Sequence, residues 1–250
     1  MELKQTRTII LDQGDPEQKR QEIRDYFHAT FSIDERLYET LRHDATFYLR
    51  ADRLRHPLIF YYGHTAAFFI NKLVIGRVLN QRINPRYEAM FAVGVDEMSW
   101  DDLNEAHYDW PTPQEVKQYR DHVREPVDSL IASLPLTLPI GWDSPWWAIM
   151  MGIEHERIHL ETSSVLIRQL PIEQVVQLPF WQICPEQGEP PVNALLPVAG
   201  GRVQLGKHRT HPLYGWDNEY GSHAADVADF KAAQYLVSNR EFLEFVEAGG

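Results

Sequence analysis

Between Asp15 and Leu170, apolar residues recur at three- and four-residue spacings, the period of amphipathic helices. Asp15-Pro16 reads as an N-cap followed by proline at the first helical position, and Ile23, Tyr26, Phe27 and Phe31 continue its stripe. A second helix is predicted over about 33–54 on Leu37, Leu41, Phe47 and Leu49. A third, about 57–79, is apolar on nearly every side, which marks the centre of a bundle. Its His64, Asn71 and Lys72 argue for a buried helix rather than a membrane span. Thr112-Pro-Gln-Glu115 is a capping box that opens a helix through Val116, Tyr119 and Val123, with a kink or break expected at Pro126. Ser144-Pro145 opens the last of the series, running to about Leu170. The stretch 80–111 is irregular and holds Gly94, Asp96, Glu97, Trp100, Asp101 and Asp102. A loop that long in a compact domain carries function or short elements of its own.

After Leu170 the pattern changes. Residues 171–197 contain six prolines and read as a linker or an extended wrap. From Val198 the chain turns to strands and turns, through Gly200–Gly206 and Gly215–Gly221, and Ser238-Asn-Arg-Glu241 is a capping box for a short helix. The expected organisation is therefore a helical bundle over 1–170, a proline-rich linker over 171–197 and the start of a second fold over 198–250. About 53 residues is little for an independent core, so the chain reads as the first part of a longer protein.

Composition narrows the function. Twelve more acidic than basic side chains exclude nonspecific nucleic-acid binding, which needs clustered Lys and Arg. A single cysteine, Cys184, excludes an internal disulfide framework and thiolate-built zinc or iron–sulfur sites, and it fits a reducing compartment. The N-terminus has no apolar signal core, which points to the cytoplasm, with no membrane partner.

His155-Glu-Arg-Ile-His159 is the sharpest chemical signal. Histidines at i and i+4 on a helix share one face and reach one metal ion. Composition alone would supply about 0.04 such matches, so chance is a fair competitor, and the plainer reading is two helix-surface histidines beside Glu154, Glu156 and Glu161. Small residues on that face, Ala148, Gly152, Thr162 and Ser163, suggest room for a ligand. The metallopeptidase patterns fail. Thr162 and Val165 stand where one class needs Gly and His, and Glu173, Glu186 and Glu189 lie in or beside the proline-rich stretch rather than on a later helix. The better third ligand is His64, in the middle of the most apolar helix. Three neutral imidazoles would leave coordination positions open on Fe(II), Zn(II) or a similar ion, and spacing alone does not choose among them. Arg82 and Arg86 are candidates to hold a substrate carboxylate, against the plainer reading of surface ion pairs. The acidic run from Asp96 to Asp102 could meet an ammonium group or simply be solvated. His28, His43, His56, His107 and His122 read as surface residues, and His208, His211 and His223 have no assigned role.

Tyr62-Gly-His-Thr-Ala-Ala-Phe-Phe-Ile-Asn71, Phe91 to Asn104, Gly152 to Thr162 and Gly215-Trp-Asp-Asn-Glu219 together resemble the iron-dependent sulfoxide synthases of ergothioneine and ovothiol biosynthesis. The resemblance is to the ovothiol (5-histidylcysteine sulfoxide synthase) branch, because Val95-Asp-Glu-Met-Ser-Trp-Asp101 replaces an arginine-rich segment and Ile158 replaces a glutamine of the ergothioneine branch. It implies a mainly α fold: a DinB-like four-helix bundle followed by the start of a formylglycine-generating-enzyme-like (C-type-lectin-related) α+β domain. It also implies Fe(II) on His64, His155 and His159, with cysteine, histidine and O2 as substrates. The catalytic residues of the second domain are expected beyond Gly250, so the chain alone is expected to bind metal without turning over. The alternatives are the ergothioneine branch and a DinB-like metal-dependent thiol S-transferase.

Overall fold

Four long helices build the first structural unit, which runs to Phe180 and includes Pro212–Tyr214. The computed structural model describes residues 7–93, 108–181, 185 and 188–250. Helix α1 (Pro16–Tyr38) starts at Asp15, whose carboxylate accepts from the Glu17 and Gln18 amides. Helix α2 spans Leu58–Ile75, and a short α3 spans Pro85–Met90 under an Asn84 cap. Helix α4 (Pro113–Ser133) opens on the expected capping box at Thr112 and Glu115. Helix α5 (Pro145–Gln169) opens on Ser144. α1 and α2 each pack against both α4 and α5, the arrangement of a four-helix bundle.

Two helix boundaries differ from the sequence reading. No helix spans 33–54. The stripe of Ile23, Phe27 and Phe31 continues through Asp34 and Leu37, so α1 takes in the start of that segment. The Thr40 hydroxyl then donates to the Leu37 carbonyl at 2.6 Å and the chain leaves the helix. Leu41 and Phe47 are still buried, Leu41 through a bridge to Val175 and Phe47 in a single tight turn over 44–48. Pro126 does not break α4. The carbonyl it leaves without a donor is that of His122, an exposed residue that water can serve.

α2 is long and apolar enough to cross a membrane, yet Phe60, Phe69, Ile70 and Leu73 are fully buried inside the bundle. Two glycines let it approach its neighbours. A Cβ at Gly63 would collide with the Phe91 ring, and one at Gly152 of α5 would collide with Phe69. Gly152 therefore serves helix packing, and the room for a ligand expected there is filled by an aromatic ring. Ser163 is likewise taken up, within 3.0 Å of the Tyr38 hydroxyl in the core.

The second unit comprises 181–211 and 215–250. Strand β1 (Leu195–Val198) pairs antiparallel with β4 (Phe230–Ala233), and β2 (Gly201–Leu205) with β3 (His223–Val227). Helix α6 (Asn239–Glu247) starts at the expected Ser238–Glu241 capping box.

Candidate metal centre

His64 lies at the middle of α2 and is 3% exposed. His155 and His159 lie one turn apart on the face of α5 that meets α2, and His155 is 8% exposed. Their ring nitrogens converge. His64 Nε2 is 3.2 Å from His155 Nε2, which is 3.1 Å from His159 Nε2. One ligand atom from each residue fits within a 4.8 Å group. Two nitrogens bound to one ion at about 2.1 Å stand roughly 3.0–3.4 Å apart in octahedral or tetrahedral geometry, so the spacing suits a shared ion.

The protonation states suit it as well. The Phe91 carbonyl can only accept, so the 2.6 Å contact from His64 Nδ1 places the proton there and leaves the Nε2 lone pair facing the cluster. Burial, then the neighbouring imidazoles and Lys72, push the His155 pKa well below the ordinary imidazole value. Burial, then His64 and Arg55, lower His159 to about 3. Neutral imidazoles packed this closely have lone pairs aimed at one another, and a cation is the partner that this donor set fits.

Aromatic rings pack against the imidazoles. Phe68 stacks on His155 with centroids 3.6 Å apart and planes 6° from parallel. Phe60 stacks on His64 at 5.1 Å. The Glu of the His-Glu-x-x-His motif faces away from this chemistry. Glu156 is fully buried and its Oε1 accepts from Arg120 at 2.8 Å, so it is not placed as the general base of a metallopeptidase.

Two cavities reach the imidazoles. One, of about 510 Å³, is lined by His64, Phe68, Asn71, Lys72, Arg82 and Phe91 among others. The second, of about 280 Å³, includes His159, Asp52, Arg55, Tyr61, Thr162 and Gln169 in its wall. Arg82 is held in the first wall, donating from Nη1 to Asn71 Oδ1 at 2.6 Å and to buried Glu88 at 3.1 Å. Arg86 is not in that wall. It is exposed and paired with Asp109 at 2.8 Å.

Among the other histidines, His56 is a correction. It is 5% exposed and stacked on Phe60, because the chain entering α2 tucks it beneath Trp110 and Tyr108. His28 is half-buried, 2.7 Å from Asp128. His43, His122, His208, His211 and His223 are exposed. His107, Cys184 and the acidic run Asp96, Glu97, Asp101 and Asp102 lie outside the described residues. The sequence reading missed the Phe91 carbonyl, which has no side-chain signal. It also missed Lys72 as a cavity residue and Arg120. Arg120 was detectable as a charge four residues after Val116, within the apolar stripe of α4.

A four-helix bundle with three imidazoles converging between two of its helices is a donor set that could hold a metal ion. The chain belongs to the DinB superfamily, which residues 19–163 match. It is also similar to three curated proteins. It is 23% identical over 227 residues to "Ergothioneine biosynthesis protein 1" of Schizosaccharomyces pombe, covering 77% of this chain and 29% of that protein. It is 24% identical over 215 residues to the Neurospora crassa protein of the same name, covering 78% and 24%. It is 26% identical over 172 residues to "Hercynine oxygenase" of Mycolicibacterium smegmatis, covering 67% and 38%. The chain thus spans less than two-fifths of the length of each of these relatives.

Proposed function

We propose that this chain carries the iron site of a cytoplasmic non-haem Fe(II), O2-dependent sulfoxide synthase, joining cysteine sulfur to the histidine imidazole to give 5-histidylcysteine sulfoxide. The observation that carries the reading is the facing set of His64, His155 and His159 in a DinB bundle whose relatives bear the names above. These three imidazoles would hold the ion. Bound there, iron supplies the activation of O2 and of the cysteine thiol that no side chain in this site provides. In the overall reaction one S–H and one C–H bond are lost, a C–S and an S–O bond form, and the second oxygen of O2 leaves as water.

The chain's own groups suggest how a substrate is held. Lys72 and Arg82 border the larger cavity beside His64, while buried Glu88 offsets one of the two charges. In a protein of net charge −12, that local excess of positive charge suits a carboxylate. We assign the carboxylate to Lys72 and Arg82, with Asn71 orienting the Arg82 guanidinium. Arg86, engaged with Asp109 outside the cavity wall, is not needed for it. Phe68 and Phe91 add aromatic surface to the cavity wall. The strands of the second unit would begin the formylglycine-generating-enzyme-like domain, which would supply further catalytic residues.

The relatives' names favour a second reading, the ergothioneine branch. O2 uptake by the full-length gene product, reconstituted anaerobically with Fe(II), separates them. Uptake requiring both cysteine and histidine, with a coupled product carrying one added oxygen, supports the ovothiol branch. Uptake only with γ-glutamylcysteine and trimethylhistidine supports the other. Metal binding without O2 uptake on any thiol would leave the thiol S-transferase.

A further inference from the structure

Arg120 is fully buried on α4 and reaches the residues beside two of the three histidines. Its Nη1 donates to the Tyr62 carbonyl and to Thr65 Oγ1, both at 2.8 Å, on the two sides of His64 along α2. Its Nη2 donates at 2.8 Å to Glu156, the residue after His155 on α5. Thr65 Oγ1 in turn donates to the same Glu156 oxygen at 3.4 Å, closing a ring between the two helices that carry the histidines. Asp34 of α1 pairs with the same guanidinium at 3.2 Å. The rings of Phe31 and Tyr62, 4.4 and 5.1 Å from its central carbon, fix the plane of the fork.

We infer that Arg120 is a positioning residue, the clamp that sets the rotation of α2 against α5 and so the convergence of His64 on His155 and His159. Apolar packing between the same helices, such as Phe69 against Gly152, is non-directional, whereas the guanidinium fork is directional. A metal site tolerates only about 0.5 Å of misplacement. Successive residues on a helix point about 100° apart. Holding Thr65 and Glu156, each next to a histidine, therefore fixes the direction in which His64 and His155 point. The composition of the cluster supports a geometric role over a stabilising one. Buried ion clusters are often replaced by apolar residues without loss of stability, and their best-attested use is to fix register. Asp34, Arg120 and Glu156 are all fully buried, and burial pushes the Asp34 carboxyl above its ordinary pKa value against the pull of Arg120, which marks the cluster as costly to bury.

The inference rests on the metal-site reading above, and Co(II) binding to the 250-residue chain tests the two separately. Affinity and the visible ligand-field spectrum report the site directly, with urea unfolding in parallel. Arg120→Lys keeps the charge but lacks the fork. It should lower Co(II) affinity about tenfold or more and change the spectrum. The triple change Asp34→Leu, Arg120→Met, Glu156→Leu replaces the fully buried members of the cluster with apolar side chains and leaves only the partly exposed Glu35, which accepts from Arg120 Nε at 3.3 Å; the protein should stay folded while losing the site to the same degree or more. Arg24→Met, which removes a pair with Asp128 between α1 and α4, should leave Co(II) affinity and spectrum unchanged. Wild-type affinity and spectrum in either folded Arg120 variant would overturn the clamp, as would an equal loss in Arg24→Met. No Co(II) binding by the wild-type chain would overturn the metal-site reading, and the clamp with it.

Discussion

His64 and Phe91, 27 residues apart, are joined by a 2.6 Å hydrogen bond from the imidazole Nδ1 to the backbone carbonyl. The bond depends on Gly63, because the Phe91 ring occupies the space where a Cβ would lie. One glycine thus lets a backbone carbonyl choose the tautomer of the adjacent histidine. Gly63→Ala should force Phe91 away, at a cost of about 1–3 kcal/mol for overpacking a buried contact. Loss of an outer hydrogen bond to a ligating imidazole lowers metal affinity about 10–100-fold. Urea unfolding of the metal-free protein and Co(II) titration measure the two effects separately. An unchanged Co(II) affinity would show that the carbonyl does not orient His64.

The two arginines at the head of the irregular stretch should behave differently. Removing Arg82 takes its 3.1 Å hydrogen bond from Oε2 of the buried Glu88, whose Oε1 accepts from the Ile83 and Asn84 amides at 2.8 and 2.9 Å. Arg82→Ala should cost about 1–3 kcal/mol and weaken binding of a carboxylate ligand. Arg86→Ala removes an exposed pair with Asp109 and should stay within about 0.5 kcal/mol of wild type. Thermal unfolding of both variants checks the contrast, and equal losses would contradict the placement of Arg82 in the cavity wall.

Acid sensitivity should trace in part to Asp128. Hydrogen bonds from Arg24 and, after it, His28 lower its pKa from 3.8 to about 2. A carboxylate depressed in the folded state contributes stability that is fully present above its unfolded value, near 4, and lost as pH falls toward 2. Asp128→Asn should therefore be less stable than wild type at pH 6, and the two curves should converge between pH 4 and 2. Urea midpoints across that range provide the check, and parallel curves would rule out this linkage.

The features legible in the sequence were those carried by local rules. The Asp15, Thr112, Ser144 and Ser238 caps hold because a side-chain oxygen and an amide two or three residues away decide them. The approach of His64 to the His155–His159 pair was legible because a polar ring in the most apolar helix needs a partner. What was missed came from tertiary contacts. Gly152 looked like space for a ligand until Phe69 filled it. His56 looked exposed beside charged neighbours until Phe60 and Trp110 covered it. The break after Tyr38 followed from contacts with 173–176, where Arg42 donates to the Glu173 and Val175 carbonyls. No window around residue 40 contains that information.

The central claim is that one ion is shared by His64, His155 and His159. Anaerobic Fe(II) binding to the wild-type chain and to His64→Ala, His155→Ala and His159→Ala tests it most directly. The expected result is one equivalent per wild-type chain and a loss of affinity of roughly 100-fold or more in each variant, since removing a ligand costs more than removing its outer hydrogen bond. Full retention of iron by a folded His64→Ala protein would contradict it.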